Sequence, residues 1–303
     1  MPVIVIGNLY VGGTGKTPLT VEIARALVDR GWRPGIVSRG YGALASQPRM
    51  VRIGDAARDV GDEPLLIARA AAVPVAVAGR RVAAARLLRQ RHPECNVIIA
   101  DDGLQHWPLA RDMEIALLHY RGLGNGWMLP AGPLREPRGR LDHVDAIVTN
   151  GEVPAVAGTA PRFPMRTCVA GAFALHDPTL RIDLATLARE QHLHGWRLAA
   201  AAGIGMPDRF FAMRRDAGLE IDAMPLADHF DYSENPFSAV TADRILVTEK
   251  DAVKCAANAS LTNDPRIWVV PLATEIDPRL VDAVVARLSQ NLASGSGRGP
   301  STA

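Results

Sequence analysis

The sequence contains little cysteine and no long hydrophobic run. Its cysteines are Cys95, Cys168 and Cys255. They lie far apart and form no CxxC pair, which argues against a disulfide framework or a zinc site and is typical of a reducing cytoplasm. No signal peptide precedes the first predicted strand, and the longest apolar stretch, residues 65–79, is interrupted by Arg69 and Pro74. A membrane-spanning helix needs about 18 apolar residues in a row, so none is predicted.

The chain also lacks a strong charge of either sign. Its 34 lysine and arginine residues nearly balance 32 aspartate and glutamate residues, which gives a formal net charge of +2. This balance gives no reason to expect a nucleic-acid partner, and no obligate protein partner is indicated, although a local basic patch could still meet an anionic lipid. The 303 residues, of which 48% are hydrophobic, suffice for one large or two medium soluble domains.

Short apolar runs alternate with segments of helical periodicity in the first half of the chain. The predicted strands are 2–6, 34–38, 73–77, 96–100, 113–118 and 144–150, and the predicted helices are 17–29, 63–71 and 81–91. Such short apolar runs are typical of buried parallel strands, and repeated strand–helix units favour a sheet covered on both faces. The pattern predicts an α/β fold over residues 1–150, with a mostly parallel sheet.

A second, smaller α/β domain is predicted after a linker at residues 151–161, which are rich in Gly, Pro, Ala and Val. Within residues 162–292 the predicted strands are 198–202, 221–225, 244–247 and 267–270, and the predicted helices are 207–217, 251–257 and 278–292. We expect this domain to complete the functional site. The Gly/Ser-rich tail, residues 293–303, is predicted to be disordered.

A glycine-rich loop between the first strand and the first helix is the sharpest functional signal. Its residues are Tyr10, Val11, Gly12, Gly13, Thr14, Gly15, Lys16 and Thr17. Such a loop directs backbone N–H groups at phosphate oxygens, beside a helix N-terminus that favours anions. It predicts binding of Mg²⁺-ATP, with Lys16 at the β- and γ-phosphates and the Thr17 hydroxyl on Mg²⁺. Residues 1–150 are accordingly predicted to form a P-loop NTPase-type nucleotide-binding kinase domain. Tyr10 stands where the general motif has its first glycine, and the alternative is a glycine-rich turn that binds nothing.

The same loop is similar to the GGxGK[ST] loop of partitioning-type ATPases. Those proteins carry a lysine just before the paired glycines, where this chain has Val11. A nucleotide-driven switch or metallochaperone of that class is therefore the weaker hypothesis, and the lack of Cys/His metal clusters also counts against it. A kinase for another, soluble sugar or nucleoside is a third hypothesis.

A second polar cluster follows the predicted strand 96–100. It contains Asp101, Asp102, Gln105 and His106. A carboxylate at the end of an apolar strand is where P-loop proteins place their second Mg²⁺ ligand, and this set of donors and acceptors is denser than a plain turn needs. The alternative is that Asp102 belongs to a simple turn and that His106 caps a helix.

Other residues are ambiguous when they are read singly. Asp62 opens a predicted helix, and its simplest interpretation is an N-cap next to acidic residues that complement the helix dipole. A lone histidine such as His229 is more often structural. Arg135, Arg138 and Arg140 form either a solvated basic loop or an anion clamp for phosphate.

Taken together, these segments resemble the tetraacyldisaccharide 4'-kinase family of lipid A biosynthesis, over nearly the whole chain. Beside the phosphate loop, the segments that carry the resemblance are 5–9 (VIGNL), 38–42 (SRGYG), 61–64 (GDEP), 101–106 (DDGLQH), 124–126 (GNG), 129–136 (LPAGPLRE), 202–205 (AGIG) through 209–211 (RFF), 225–229 (PLADH) and 248–251 (TEKD). So many ordered motifs at compatible spacing do not arise by chance.

The resemblance implies transfer of the γ-phosphate of ATP to the 4'-hydroxyl of a tetraacyldisaccharide 1-phosphate, which gives lipid IVA. It implies that Asp62 is the catalytic base, supported by His229, while Lys16 holds the transferring phosphate. Asp101 and Asp102 are implied to serve the metal and the nucleotide. The other side chains implied at the nucleotide site are Arg81, Gln105, His106 and Arg135. The TEKD motif is implied only as an edge of the site in the second domain.

Members of that family normally begin with an apolar, membrane-seeking helix, whereas here Met1 stands almost on the first strand. We therefore expect peripheral contact with the anionic surface of the bacterial inner membrane on its cytoplasmic face, or a cytoplasmic location if the helix is absent. Contact through basic loops and the acceptor lipid alone should weaken as salt is raised.

Overall fold

The computed structural model describes residues 1–43, 47–156, 158–169 and 171–295. They form two compact units. The first unit contains Met1–Arg166 and the chain from Thr274 onward, and the second contains Thr167–Ala273. This division differs from the expected one, because residues 151–161 lie within the first unit and the last helix belongs to the first unit rather than to the second.

The strands are listed here in chain order. They are β1 (Val3–Gly7), β2 (Pro34–Ser38), β3 (Arg49–Met50), β4 (Val75–Val77), β5 (Val97–Ala100), β6 (Met113–His119), β7 (Ala146–Asn150), β8 (Arg162–Cys168), β9 (Gly171–Ala174), β10 (Arg181–Asp183), β11 (Leu198–Ala202), β12 (Ile221–Pro225), β13 (Arg244–Thr248), β14 (Ile267–Val270) and β15 (Ala273–Ile276).

The helices are α1 (Lys16–Asp29), α2 (Ala57–Val60), α3 (Asp62–Ala71), α4 (Arg81–Arg91), α5 (Leu184–His194), α6 (Pro207–Asp216), α7 (Glu249–Cys255), α8 (Ala259–Thr262) and α9 (Pro278–Gly295), with a 3-10 helix at Arg138–His143. Helix α1 shows why such segments fold: Leu19, Ile23 and Leu27 recur every four residues and are buried on one face. Among the described residues, none of these helices has the length and the apolar character needed to cross a membrane.

The sheet of the first unit has the order β15-β8-β7-β6-β1-β5-β2-β4-β3. Strand β1 pairs in parallel with β5 and β6, and β2 pairs in parallel with β4 and β5, whereas the short β3 is antiparallel to β4. The register sets Val5 against Ala100 and Val37 against Ala100. The carboxyl ends of β1, β2 and β5 therefore meet at one edge of the sheet, where α/β proteins bind ligands.

Both faces of this sheet are covered, as the sequence predicts. Successive side chains of β1 point to opposite faces: Ile4 and Ile6 pack in a core with residues of α1, α3 and α9, and Val3 and Val5 pack in a core with residues of α4. The α9 residue Leu288 is fully buried in the first of these cores. This packing explains why α9 belongs to the first unit.

The second unit has its own sheet, ordered β10-β9-β14-β13-β11-β12. Strands β14, β13, β11 and β12 are parallel, whereas β9 is antiparallel to both β14 and β10. Two cores cover its faces, one of which contains Leu187 of α5 and Phe211 of α6 and the other Ala252 of α7. A second, smaller α/β unit is therefore present, as predicted.

Most predicted elements exist with small shifts at their ends, and the mostly parallel P-loop type α/β fold is confirmed. The elements that the sequence analysis missed are β3, β8, β9, β10, β15, α2, α5 and α8. Strand β8 continues the first sheet parallel to β7, and its alternating burial, with Phe163 and Met165 inside, is a readable strand signal. The prediction of a disordered tail at 293–303 is wrong for 293–295, which end α9, and its remaining residues lie outside the described range.

Candidate active site

The phosphate loop leaves the buried strand β1 and enters α1. Gly15 precedes the helix with a φ of 99°, and Gly12 has a φ of 100°, both in the left-handed region that favours glycine. A Cβ at Gly15 would lie 2.6 Å from Nδ2 of Asn150. The glycines that the motif requires are therefore also required by this backbone, which is a formed loop at a helix N-terminus.

Two asparagines that sequence reasoning did not assign hold this loop. Asn8 is fully buried, and its Nδ2 donates to Oγ1 of Thr14 at 2.9 Å. Nδ2 of Asn150, at the end of β7, donates to the backbone oxygen of Thr14 at 3.1 Å. Lys16 donates from Nζ to Oδ1 of Asn8 at 3.3 Å. The lysine is thus held over the loop by the residue that directly follows β1.

Asp101 directly follows β5 and is 2% exposed. It accepts hydrogen bonds from Ser38 Oγ at 3.1 Å and from Thr20 Oγ1 at 3.3 Å. Burial raises the pKa of Asp101 to about 6, and the nearby carboxylates of Glu63 and Asp102 act in the same direction. Glu63 is a site neighbour that the sequence analysis missed, although its place in the first turn of α3 within the GDEP motif is a signal that could have found it.

Asp102 has a φ of 48°, and it is contacted by the positively charged side chains of the site. Arg135 binds both of its carboxylate oxygens, at 3.1 and 2.9 Å, and Lys16 Nζ lies 3.7 Å from Oδ1. Arg81 donates to the backbone oxygens of Asp101 and Asp102, at 3.3 and 2.6 Å. Burial would raise the pKa of Asp102, but the hydrogen bonds from Arg135 and the charge of Lys16 hold it below its usual range.

Gln105 and His106 lie in turns rather than at a helix, so the interpretation of His106 as a helix cap is wrong. Gln105 donates from Nε2 to the backbone oxygen of Asn8 at 3.2 Å and to Glu136 at 2.5 Å. Burial and the charge of Arg81 lower the pKa of His106. Gln105 Oε1 and His106 Nε2 are buried and have no hydrogen-bond partner among the described residues.

The arginines of the LPAGPLRE segment and the residues after it have different roles. Arg135 belongs to the site, because it also donates to Asn8 through both the backbone oxygen and Oδ1. Arg138 is exposed. Arg140 is buried and is bound by Glu136 and Glu114. The prediction of a three-arginine clamp or solvated loop is therefore wrong for Arg140, whose charge is used inside the protein.

Asp62 is the first residue of α3, and Gly61 is the N-cap, so the interpretation of Asp62 as an N-cap is wrong. Gly61 has φ 93° and ψ 149°, and a Cβ there would lie 3.0 Å from the backbone oxygen of Tyr41. The GDEP turn therefore packs closely on the loop that follows β2. This close approach, together with the effect of Glu63 on Asp101, places the start of α3 at the same edge of the sheet as the phosphate loop.

Tyr10, Val11, Gly13 and Thr17 complete the predicted set. Tyr10 forms an antiparallel bridge with Leu134, and the centroid of its ring lies 5.2 Å from that of His119, with the two ring planes tilted by 58°. Val11 and Gly13 are exposed, whereas Thr17 is half-buried in the first turn of α1. The backbone of Tyr10 thus joins the loop to the segment before Arg135, while its side chain contacts His119 at the end of β6.

His229 lies in the second unit, in the loop after β12. It has a φ of 60°, it is exposed, and its backbone N–H donates to the oxygen of Gly203 at 3.2 Å. The N–H of Gly203 donates in turn to both oxygens of Asp251, at 3.2 and 3.1 Å. Asp251 is fully buried and also accepts from Thr248 Oγ1 at 2.7 Å. Asp251 of the TEKD motif therefore holds the backbone of Gly203, which in turn accepts the backbone N–H of His229.

A Mg²⁺ site is compatible with the residues of the first unit. No group of three or more His, Cys, Asp or Glu side chains in the described part of the chain could hold a metal alone. Magnesium in phosphotransferases normally needs only one or two carboxylates, with phosphate oxygens and water as further ligands. Burial raises the pKa of Asp101, and the charges of Glu63 and Asp102 raise it further, so a bound cation would favour the ionised form of this carboxylate.

A glycine-rich loop after the middle strand of a parallel sheet, with a lysine, arginines and carboxylates around it, defines a P-loop protein of the phosphotransferase type. The family model described as tetraacyldisaccharide-1-P 4'-kinase (LpxK) matches residues 1–289. The chain belongs to this family and is therefore a kinase. The nucleotide-switch hypothesis is not favoured by this result.

Individual proteins agree with the family. The chain is 50% identical over 293 residues to the tetraacyldisaccharide 4'-kinase of Herminiimonas arsenicoxydans, with 95% of this chain and 82% of that protein covered. It is 48% identical over 288 residues to the enzyme of Janthinobacterium sp. (strain Marseille), with the same coverage. The crystal structure of LpxK from Aquifex aeolicus in complex with ATP is 27% identical, with a TM-score of 0.78, and covers 95% of this chain and 89% of that one.

Proposed function

We propose that this protein transfers the γ-phosphoryl group of ATP to the 4'-hydroxyl of an acylated disaccharide 1-phosphate, which yields the lipid A precursor lipid IVA. The observation that carries the proposal is the cluster of Lys16, Arg81 and Arg135 around Asp102 at the mouth of the phosphate loop, in a chain of this kinase family. Phosphoryl transfer requires mainly positioning and neutralisation of charge, and this cluster supplies both.

The residues have separate tasks in this proposal. The loop amides and Lys16 bind the triphosphate, and Arg81 and Arg135 lie beside its terminal phosphates. Thr17, Asp101 and Asp102 would hold Mg²⁺, which supplies charge neutralisation at the β- and γ-phosphates. Arg135 has a second task, because its two bonds to Asp102 fix that carboxylate in place. Gln105, which donates to the backbone oxygen of Asn8, and His106 would line the nucleotide site.

Asp62 is the proposed base that takes the proton of the sugar hydroxyl. Its position at the first turn of α3, on the edge of the sheet that carries the phosphate loop, supports this role. His229 is proposed to orient or tune Asp62. The left-handed backbone at His229 supports a functional position, because a non-glycine residue rarely adopts it without a reason.

The acceptor is a membrane lipid, so we also propose that the protein works in peripheral contact with the anionic cytoplasmic face of the bacterial inner membrane. Its exposed arginines would attract anionic headgroups. This location follows from the substrate class alone.

The decisive experiment measures transfer of labelled phosphate from ATP to purified acyl disaccharide 1-phosphate. Lys16→Ala should reduce turnover to near the background level while circular dichroism stays unchanged, because the residue lies at the very start of α1 and alanine is a good helix former. Arg58→Ala, which removes an exposed cation of the same unit, is the matched control and should retain activity. Wild-type turnover by Lys16→Ala would overturn the proposal, and ATP hydrolysis that does not depend on the lipid would favour the nucleotide switch.

A further inference from the structure

Three large apolar side chains are exposed next to each other in the loop that precedes Arg135. Trp127 is 67%, Met128 44% and Leu129 55% exposed. We call these three residues the Trp127 surface. Isolated apolar residues are common on protein surfaces, whereas a contiguous exposed group of this size marks an interaction site.

The loop that carries this surface has a fixed shape. The backbone N–H of Trp127 donates a hydrogen bond to Oδ1 of Asn125 at 3.1 Å. Nδ2 of Asn125 donates to the backbone oxygen of Ala131 at 3.0 Å. Backbone bonds join Leu129 N to Leu134 O at 2.9 Å and Leu134 N to Trp127 O at 3.1 Å. The apolar side chains are therefore presented by an ordered backbone, and little entropy would be lost when they bind.

The same loop is joined to the phosphate loop. The N–H of Val11 donates to the oxygen of Pro133 at 3.0 Å, and the N–H of Arg135 donates to the oxygen of Leu9 at 2.7 Å. Val11 is itself 38% exposed. Whatever binds the Trp127 surface is consequently held beside the loop that carries Lys16.

The charge around the surface has one sign. Residues 119–138 contain Arg121, Arg135 and Arg138 but only one acidic residue, Glu136. Glu136 is buried and bound by Gln105 and Arg140, so it does not reach solvent. Arg135 is paired with Asp102, so the exposed charges of this segment are those of Arg121 and Arg138, which complement anionic phospholipid headgroups.

We propose that the Trp127 surface inserts into the headgroup boundary of an anionic phospholipid bilayer and so docks the kinase on the membrane. Tryptophan prefers this boundary, and the neighbouring methionine and leucine supply apolar area that the acyl region can bury. The arginines provide electrostatic attraction, but insertion makes the binding partly resistant to salt. The inference does not depend on the proposed catalytic roles, because it concerns binding to a membrane without acceptor.

The test uses the full chain and vesicles of phosphatidylglycerol and phosphatidylethanolamine without acceptor lipid. With brominated acyl chains, the tryptophan fluorescence of the wild type should be quenched, also in about 1 M NaCl, where exposed charges are screened. Trp127→Phe should lose most of this quenching and keep binding. Replacement of all three residues by serine should reduce partition into the vesicles on the order of tenfold or more. Ile53→Ser, at a position that is 66% exposed in the same unit, is the matched control and should change nothing.

Several results would overturn the proposal. Unchanged partition of the triple variant, with circular dichroism like that of the wild type, would show that the surface does not insert. Quenching that persists in Trp127→Phe would mean that another tryptophan enters the bilayer. If the triple variant binds vesicles normally but has a raised KM for acceptor dispersed in detergent, the surface holds the acyl chains of the acceptor instead of the bilayer. None of these results would alter the assay of phosphate transfer that tests the proposed function.

Discussion

At the scale of single residues, the charge of Asp102 is balanced by groups from three parts of the chain. Lys16 comes from the phosphate loop, Arg135 from the segment after Leu134, and Arg81, through the backbone, from the start of α4. Such partners stabilise the ionised form of this half-buried carboxylate. Each cation thus has a structural task as well as the phosphate-binding task that we propose for it.

Arg135→Lys tests how much the bidentate hydrogen bonding between Arg135 and Asp102 contributes to activity. A lysine keeps the positive charge but cannot bind both oxygens of Asp102 and the oxygen of Asn8 at the same time. We expect kcat/KM for ATP to fall on the order of 10- to 100-fold, the range for loss of charge-assisted hydrogen bonds. Arg86→Lys, on an exposed position of α4, is the control. Equal kinetics for both variants would show that charge alone suffices at position 135.

The cysteines give a second prediction at this scale. Cys168 is exposed, whereas Cys95 and Cys255 are buried. Burial, together with the charge of Asp251, raises the pKa of Cys255 to about 12, and burial also raises the pKa of Cys95. Because the thiolate is the reactive form, the native protein should show one fast thiol between pH 7 and pH 9, and the others should react on the order of 100-fold more slowly.

Titration with a chromogenic disulfide reagent measures this difference directly. Cys168→Ser should remove the fast phase, and denaturant should then reveal the two remaining thiols. A second fast thiol at pH 9 in the native protein would show that one of the buried cysteines is accessible, contrary to the structure.

At the scale of elements, the position of Asp62 depends on the turn that starts α3. Gly61 adopts φ 93° and ψ 149°, a region that only glycine occupies without strain, and the oxygen of Tyr41 fills the space where a Cβ would lie. The turn therefore requires glycine both for its backbone angles and for the close approach of two loops.

Gly61→Ala should destabilise the protein by roughly 1–3 kcal/mol, the usual cost of a residue forced into such a conformation. Activity should fall further than stability, because the displaced helix start carries Asp62. Gly79→Ala is the matched control, since no atom lies within 4 Å of the added Cβ, and it should change stability by less than about 0.5 kcal/mol. Unfolding curves in urea measure both variants. A Gly61→Ala protein as stable as wild type would show that the turn can relax.

At the scale of the whole molecule, the proposed base and its partner lie in different units. Asp62 belongs to the first unit and His229 to the second. Kinetic measurements on variants test whether Asp62 and His229 act together in the phosphoryl transfer. A positioned base is typically worth about 10²–10⁴-fold in rate, so Asp62→Ala should lose kcat in that range with little change in the KM for ATP.

His229→Ala should lose less, and the double variant should be little worse than Asp62→Ala, because residues that act as a unit are not additive. Asp59→Ala and His192→Ala, which remove residues of the same types from each unit, serve as controls. Losses that multiply in the double variant would show that the two residues act independently, and normal kcat in Asp62→Ala would remove it from catalysis.

Much of this protein could be predicted from local sequence. The order of buried strands and amphipathic helices follows from periodicity, which is a property of neighbouring residues. The phosphate loop and the DDGLQH segment were recognised because their chemistry also lies within a few positions. The same motifs indicated the family, and the match of the family model to residues 1–289 confirmed it.

Tertiary structure decided the features that join distant positions. Thr14 is held by Asn150, which is 136 positions away, and Asp102 by Arg135, which is 33 positions away. The membership of β8 and α9 in the first unit also depends on pairing and packing across the chain. A local pattern gives the type of each element but not its neighbours, because strand order determines which chain segments meet at the edge of a sheet. For that reason the sequence by itself determined the local motifs of the site. Only the fold determined that the charge of Glu63 acts on Asp101 and that Arg140 is buried and bound by Glu136 and Glu114.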